Sequence, residues 1–130
     1  MAALFQTGSS IPVLRMSEEA AAKAFYVDFL GFEIEWEHRF EDSPESPLYM
    51  QIRLGQAVIQ LNGHAKPDTP PAEVRTLVRG VQAFCNHLRS IESKFPKPSV
   101  VDPRYSGKNT DMNLIAPFEN YLVFWEPSHE

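Results

Sequence analysis

Four histidines and one cysteine are the residues with which this 130-residue chain could hold a transition metal or attack an electrophile, and their spacing favours neither. His38 shares the parity of Trp36 in an alternating segment. A lone histidine there reads as a core or pocket residue, because no second ligand stands at a suitable spacing. His64 falls in a proline-rich connector, His87 near the polar side of a helical segment and His129 in the tail, so all three read as surface residues. Cys85 sits on an apolar helical face and reads as a buried small hydrophobe. No Ser-His-Asp order or Cys-His pairing is present, and Gly107-Lys108 lacks the first glycine and the Ser/Thr of a phosphate-cradling loop. Three carboxylates, Glu33, Glu35 and Glu37, alternate with Ile34, Trp36 and His38, and this row would attract a cation if it faced a groove.

These side chains need elements to position them. Ile11 to Leu14 reads as a short strand. Ser17 is placed to cap a helix, with Glu18 and Glu19 against its positive end. Ala21, Ala22, Phe25, Tyr26 and Phe29 recur at helical spacing and predict one buried stripe, and Gly31 stands where a left-handed stop is wanted. From Phe32 to Phe40 apolar and charged residues alternate, which predicts a strand with one face buried. A turn over 42–47 leads to the alternating Leu48–Leu54, a tight Gly55-Gln56 hairpin and the apolar Ala57–Leu61. The first half therefore reads βαβββ.

A connector with three prolines follows. Val74–Val78 then reads as a strand, and Val81, Phe84, Cys85, Leu88 and Ile91 mark an amphipathic helix that ends before Pro96 and Pro98. Three short strands are expected at Val100-Val101, Met112–Ile115 and Tyr121–Trp125, so the second half repeats βαβββ. The expected organisation is a single α+β domain over 1–130, with a first module at 11–62, a connector at 63–72 and a second module at 73–127.

Composition excludes several classes. The net charge of −5 comes without a basic stripe, which removes the electrostatic term that drives nucleic-acid binding. No run approaches the length of apolar residues that spans a bilayer, and no basic-then-apolar leader opens the chain, so a soluble cytoplasmic protein without membrane contact is expected. A single cysteine excludes an intramolecular disulfide and fits a reducing compartment.

The segments IPVLRMSEEAAAKAFYVDFLGFEIEWEHRF, PLYMQIRLGQAVIQL and MNLIAPFENYLVFWEP together resemble the glyoxalase / bleomycin-resistance / extradiol-dioxygenase superfamily, also called the vicinal oxygen chelate fold. The nearest likeness is to its single-domain bleomycin-resistance-like branch. The resemblance implies two βαβββ modules whose curved mixed sheet surrounds a cavity, in a homodimer. It also implies four metal-ligand positions, which fall here on Ile11, Gln60, a site near Glu73, and Val123. Two of these are aliphatic, whereas a catalytic divalent metal needs about three ligands from His, Cys, Asp or Glu. No metal and no cofactor are therefore expected. The family's final turn, Asp-Pro-x-Gly-Asn, becomes Ala116-Pro117-Phe118-Glu119-Asn120, which shifts any positive-φ requirement onto Glu119 or Asn120.

If the ligand positions face inward, Ile11, Val13, Arg15, Gln60, Tyr121, Val123 and Trp125 share that face by alternation. The second strand is ambiguous, since either Trp36 and His38 or the glutamate row enters the pocket. The candidate ligand-binding residues are Trp36, His38, Tyr49, Gln60, Glu73, Tyr121 and Trp125. The reading they support is a binding protein that sequesters a cationic or aromatic small molecule, as antibiotic-resistance proteins of this branch do. Two alternatives stay open: a lyase, isomerase or dioxygenase-type enzyme with a non-standard site built on His38, Glu73 or Tyr49, and a structural or interaction module with a filled cavity.

Overall fold

A computed structural model describes residues 4–39, 41–43, 45–64, 68–101 and 109–127. Among these described residues eight strands form two four-stranded mixed sheets. The first contains β1 (Val13–Arg15), β2 (Glu33–Arg39), β3 (Leu48–Leu54) and β4 (Ala57–Asn62) in the order β1-β4-β3-β2. The second contains β5 (Glu73–Leu77), β6 (Val100–Val101), β7 (Asn109–Ala116) and β8 (Asn120–Pro127) in the order β5-β8-β7-β6. In both, the first strand runs parallel to the last and the other neighbours are antiparallel, so the two βαβββ units share one topology. His129 and Gly107-Lys108 lie outside the described residues.

Each sheet buries one face. Leu48, Met50, Ile52, Ile59 and Leu61 line it in the first sheet, and Met112, Leu114, Ala116, Leu122 and Phe124 in the second, all within one hydrophobic cluster. Helix α1 (Glu19–Ala22) enters this cluster and continues as a seven-residue π-helix, Lys23–Phe29, instead of the regular helix that the spacing predicts. Its end is closed by the Leu30 N–H bond to the Phe25 carbonyl at 2.9 Å, five residues back, and Ala22, Phe25, Tyr26 and Phe29 all lie in the core. Their rings pack edge to face or tilted. Phe25 meets Phe95 of the second half at 5.1 Å, a contact that joins the modules. The expected Ser17 cap does not form: the cap position is Glu18 and it makes no side-chain cap bond. Glu19 holds the helix start instead, through a two-pronged pair with Arg39 at 2.6 and 2.8 Å.

Helix α2 (Val81–Ser90) buries Val81, Cys85 and Leu88, as its spacing predicts. Glu126 of β8 accepts from the Val81 N–H at 3.0 Å and so satisfies one of the helix's unpaired first-turn donors. Gly63 is required for space. Its N–H donates to the Leu48 carbonyl at 2.7 Å, and a Cβ there would lie 2.6 Å from the same oxygen.

Arg15 ties the modules together from the end of β1. Its guanidinium donates to the Phe118 carbonyl at 2.8 Å, to the Thr69 carbonyl, and to Glu119 Oε1 at 2.9 Å. The turn it grips carries two consecutive positive-φ residues, Phe118 at 67° and Glu119 at 65°. Asn120, where the sequence left room for that strain, has φ −82°. Fully buried, it donates instead to the Arg15 and Pro117 carbonyls.

Candidate functional site

The faces of the two sheets turned away from the core hold the candidate residues. On the first sheet the register pairs His38 with Tyr49, Trp36 with Gln51, and Val13 and Gln51 with Gln60. The side chains at these positions share one side by strand alternation. The ambiguity of β2 is resolved by a β-bulge: Ile34 pairs with Ile52 and Trp36 with Gln51, leaving Glu35 as an extra residue between them. The parity of the strand changes there. Ile34 lies on the core side of the register, Trp36 and His38 lie on the open side, and Glu35 reaches Gln51 and Arg53 on that open side too. The expected buried face of β2 is not realised, because β2 is an edge strand whose residues from Glu33 to His38 are all exposed. Glu37 falls on the other side, where it pairs with Lys23 at 2.8 Å.

Four of the candidates, Trp36, His38, Tyr49 and Gln60, thus share one surface. The Trp36 and Tyr49 rings lie nearly parallel, 11° apart, with centroids at 6.0 Å. The Tyr49 hydroxyl donates to Gln60 Oε1, Gln60 Nε2 donates to Gln51 Oε1, and Gln51 Nε2 donates to Glu35 Oε1, each at 2.8 Å. Arg53 Nε closes the chain on Glu35 Oε2 at 2.6 Å. The Arg53 bond, followed by the Gln51 bond, holds the Glu35 carboxyl below its ordinary pKa, so it is ionised at neutral pH. Gln51 and Arg53 were absent from the candidate set, and Glu35 entered only with the glutamate row as the alternative to Trp36 and His38. Their signal was present, since Gln51 and Arg53 follow Tyr49 at period two, whereas the bulge that delivers Glu35 has none.

Glu73, Tyr121 and Trp125 lie on the second sheet. Glu73 neighbours Tyr121, Arg75 neighbours Val123, and Asp111 neighbours Trp125. Arg75 approaches Asp111 at 3.5 Å and Glu73 at 3.9 Å, and Arg75 and Glu73 with Asn113, Ile115, Tyr121 and Val123 border a depression of about 440 Å³. Tyr121 and Ile115 are exposed there, while Leu122 and Phe124 point into the core. The four candidates of the first sheet touch or neighbour one another, Glu73 and Tyr121 are neighbours on the second, and Trp125 stands apart from them toward the other end of β8.

The positions that the resemblance assigns to metal ligands do not suit a divalent cation. Both amide atoms of Gln60 are engaged by Tyr49 and Gln51, Val123 stands beside the cationic Arg75, and Ile11 has no donor. Among the described residues no three His, Cys, Asp or Glu side chains are grouped to hold a metal. Cys85 is buried against the Pro98 carbonyl, and His64 and His87 are exposed.

Residues 2–130 match the model of a family described as glyoxalase superfamily protein. A glyoxalase family protein from Bacillus anthracis superposes with a TM-score of 0.68 at 17% identity, covering 98% of this chain and 100% of that one. The bleomycin-binding protein of Streptomyces verticillus, solved with copper(II)-bleomycin, superposes at 0.60 with 19% identity over 98% and 100% of the two chains. Lactoylglutathione lyase from Agrobacterium tumefaciens superposes at 0.62 with 13% identity over 93% and 95%. At these identities the likeness is one of fold, and it spans both a binder and an enzyme. No curated protein matches the sequence.

Proposed function

Because the chain belongs to the glyoxalase superfamily, we propose that it is a metal-independent binding protein that sequesters a planar small molecule on the open faces of its sheets. The observation that supports this most is the Trp36–Tyr49 stack set against the amides of Gln60 and Gln51. Exposed ring area of that kind supplies affinity for a flat ligand, and a few fixed polar groups supply orientation. Sequestration requires no general acid, base or nucleophile. The aliphatic Ile11 and Val123 at two of the four ligand positions favour a metal-free site. The protein works as a cytoplasmic homodimer in this reading. The exposed Val13, Trp36, Ile115 and Tyr121 on the open faces are what a second copy would cover around the ligand.

A thermal-shift screen of planar cationic and neutral compounds tests the proposal. A true ligand at about a hundred times its dissociation constant adds about 2.7 kcal/mol of stability, and Trp36→Ala should abolish the shift. Elemental analysis of protein purified without chelator should find no stoichiometric transition metal. Near one metal per chain, lost on mutating Glu73 or Gln60, would overturn the metal-free reading. Light scattering that returns a monomer at tens of micromolar would overturn the dimer.

A further inference from the structure

The side-chain chain on the first sheet has a direction, and that direction selects the ligand. Glu35, ionised against Arg53, can only accept hydrogen bonds. Gln51 must therefore turn its NH2 toward Glu35 and its carbonyl toward Gln60. Gln60 must in turn present its NH2 to Gln51 and its carbonyl to Tyr49, which leaves the Tyr49 hydroxyl no choice but to donate. Reversing any one amide would set two donors or two acceptors face to face, so the carboxylate at one end fixes the proton at the other. Bonds aligned this way polarise one another, which places added electron density on the last oxygen.

We propose that Tyr49 Oη, its proton committed to Gln60, is a dedicated acceptor beside the Trp36 ring and selects planar ligands that carry an N–H or O–H donor on their edge. The inference rests on the reading of this face as a planar-ligand site and adds the polarity of the group it recognises. Tyr49 is half-buried on the open face, and the Trp36 side chain beside it is exposed enough to receive a second ring. A flat molecule stacked there brings its edge toward Tyr49. An edge acceptor would meet a second lone pair, whereas an edge N–H would find a hydrogen-bond partner.

The test uses norharmane, a fluorescent three-ring heterocycle with one pyrrole-type N–H, and its 9-methyl derivative, in which that donor is blocked. Binding is read by fluorescence anisotropy at a pH where both are neutral. The expected result is norharmane bound about two- to tenfold more tightly, the range of one net hydrogen bond. In Tyr49→Phe the ratio should fall to about one through weaker norharmane binding, with the methyl derivative unchanged. Glu35→Gln, which frees the amides to reverse, should lower the ratio while keeping the stack. Equal binding of the two probes to the unaltered protein, or a ratio that survives in Tyr49→Phe, would overturn the acceptor assignment and leave the planar-ligand site standing. Failure of both probes to bind folded protein would overturn that site and the inference with it.

Discussion

Tyr26→Phe should stabilise this protein, against the usual outcome of removing a buried hydroxyl. Tyr26 is fully buried on the π-helix, and burial pushes its phenol well above the ordinary tyrosine value. The Asn120 side chain is near enough to temper that rise, yet no hydrogen bond of ordinary geometry joins them: Tyr26 Oη and Asn120 Oδ1 are both buried oxygens without a partner among the described residues. A hydroxyl buried without a bond costs about 1–3 kcal/mol. Phenylalanine keeps the ring and its edge-to-face contacts with Phe25 at 5.1 Å and Phe32 at 6.2 Å, and the small void left behind recovers only part of the gain. A net stabilisation of about 1 kcal/mol follows, which raises the thermal midpoint of a chain this size by about 4 °C. Urea denaturation and thermal melts on the same preparation would measure it. A loss of about 1 kcal/mol would refute the argument, since that is the cost of deleting a buried hydrogen bond that is made.

Arg15→Ala removes three hydrogen bonds, two to the second module, one of these to a carboxylate, and one to the connector, and should lower stability by about 2–4 kcal/mol in urea titrations; Arg15→Lys should recover little, because a lysine cannot reach three acceptors at once. The Glu19 carboxyl is held below its ordinary 4.5 mainly by the Arg39 bond. Its contribution is therefore complete above that value and fades as pH falls through the lowered folded pKa. For so exposed a pair the loss on acid titration should stay within about 1 kcal/mol, and Glu19→Gln should remove this part of the pH dependence. Glu119→Gly relieves a left-handed residue worth about 1–2 kcal/mol and loses an exposed ion pair worth less, so a gain of up to about 1 kcal/mol is expected. A loss larger than that in the same assay would show that the Arg15 pair dominates the turn.

The legible parts of this chain were those governed by a single period. Leu48–Leu54, the Gly55-Gln56 hairpin and Val81–Ser90 follow uninterrupted alternation or helical spacing against one core, and they form where the pattern places them. Legibility ended where one residue breaks the count. The burial of Phe25, Tyr26 and Phe29 was legible, whereas the π-helical winding that carries them was not; it accompanies ring contacts with Phe32 and Phe95 that local spacing does not report. The bulge at Glu35 likewise depends on cross-strand pairing, which no local pattern reports. The candidate site shows the same division. Parity placed Gln60 and left Trp36 and the glutamate row with Glu35 as alternatives, whereas the bulge that sets Trp36 and Glu35 on the same side could not be read from alternation.

That bulge also separates heredity of the fold from heredity of the site. Glu35 fills no place in the ladder between Ile34 and Trp36, whose partners Ile52 and Gln51 are already consecutive. Deleting its codon would leave every strand pairing in register and straighten β2. The anion that orients the Tyr49 chain would vanish with it. If Tyr49 is the acceptor proposed above, gain or loss of a single triplet would strengthen or weaken the donor preference of this surface while the architecture stays the same.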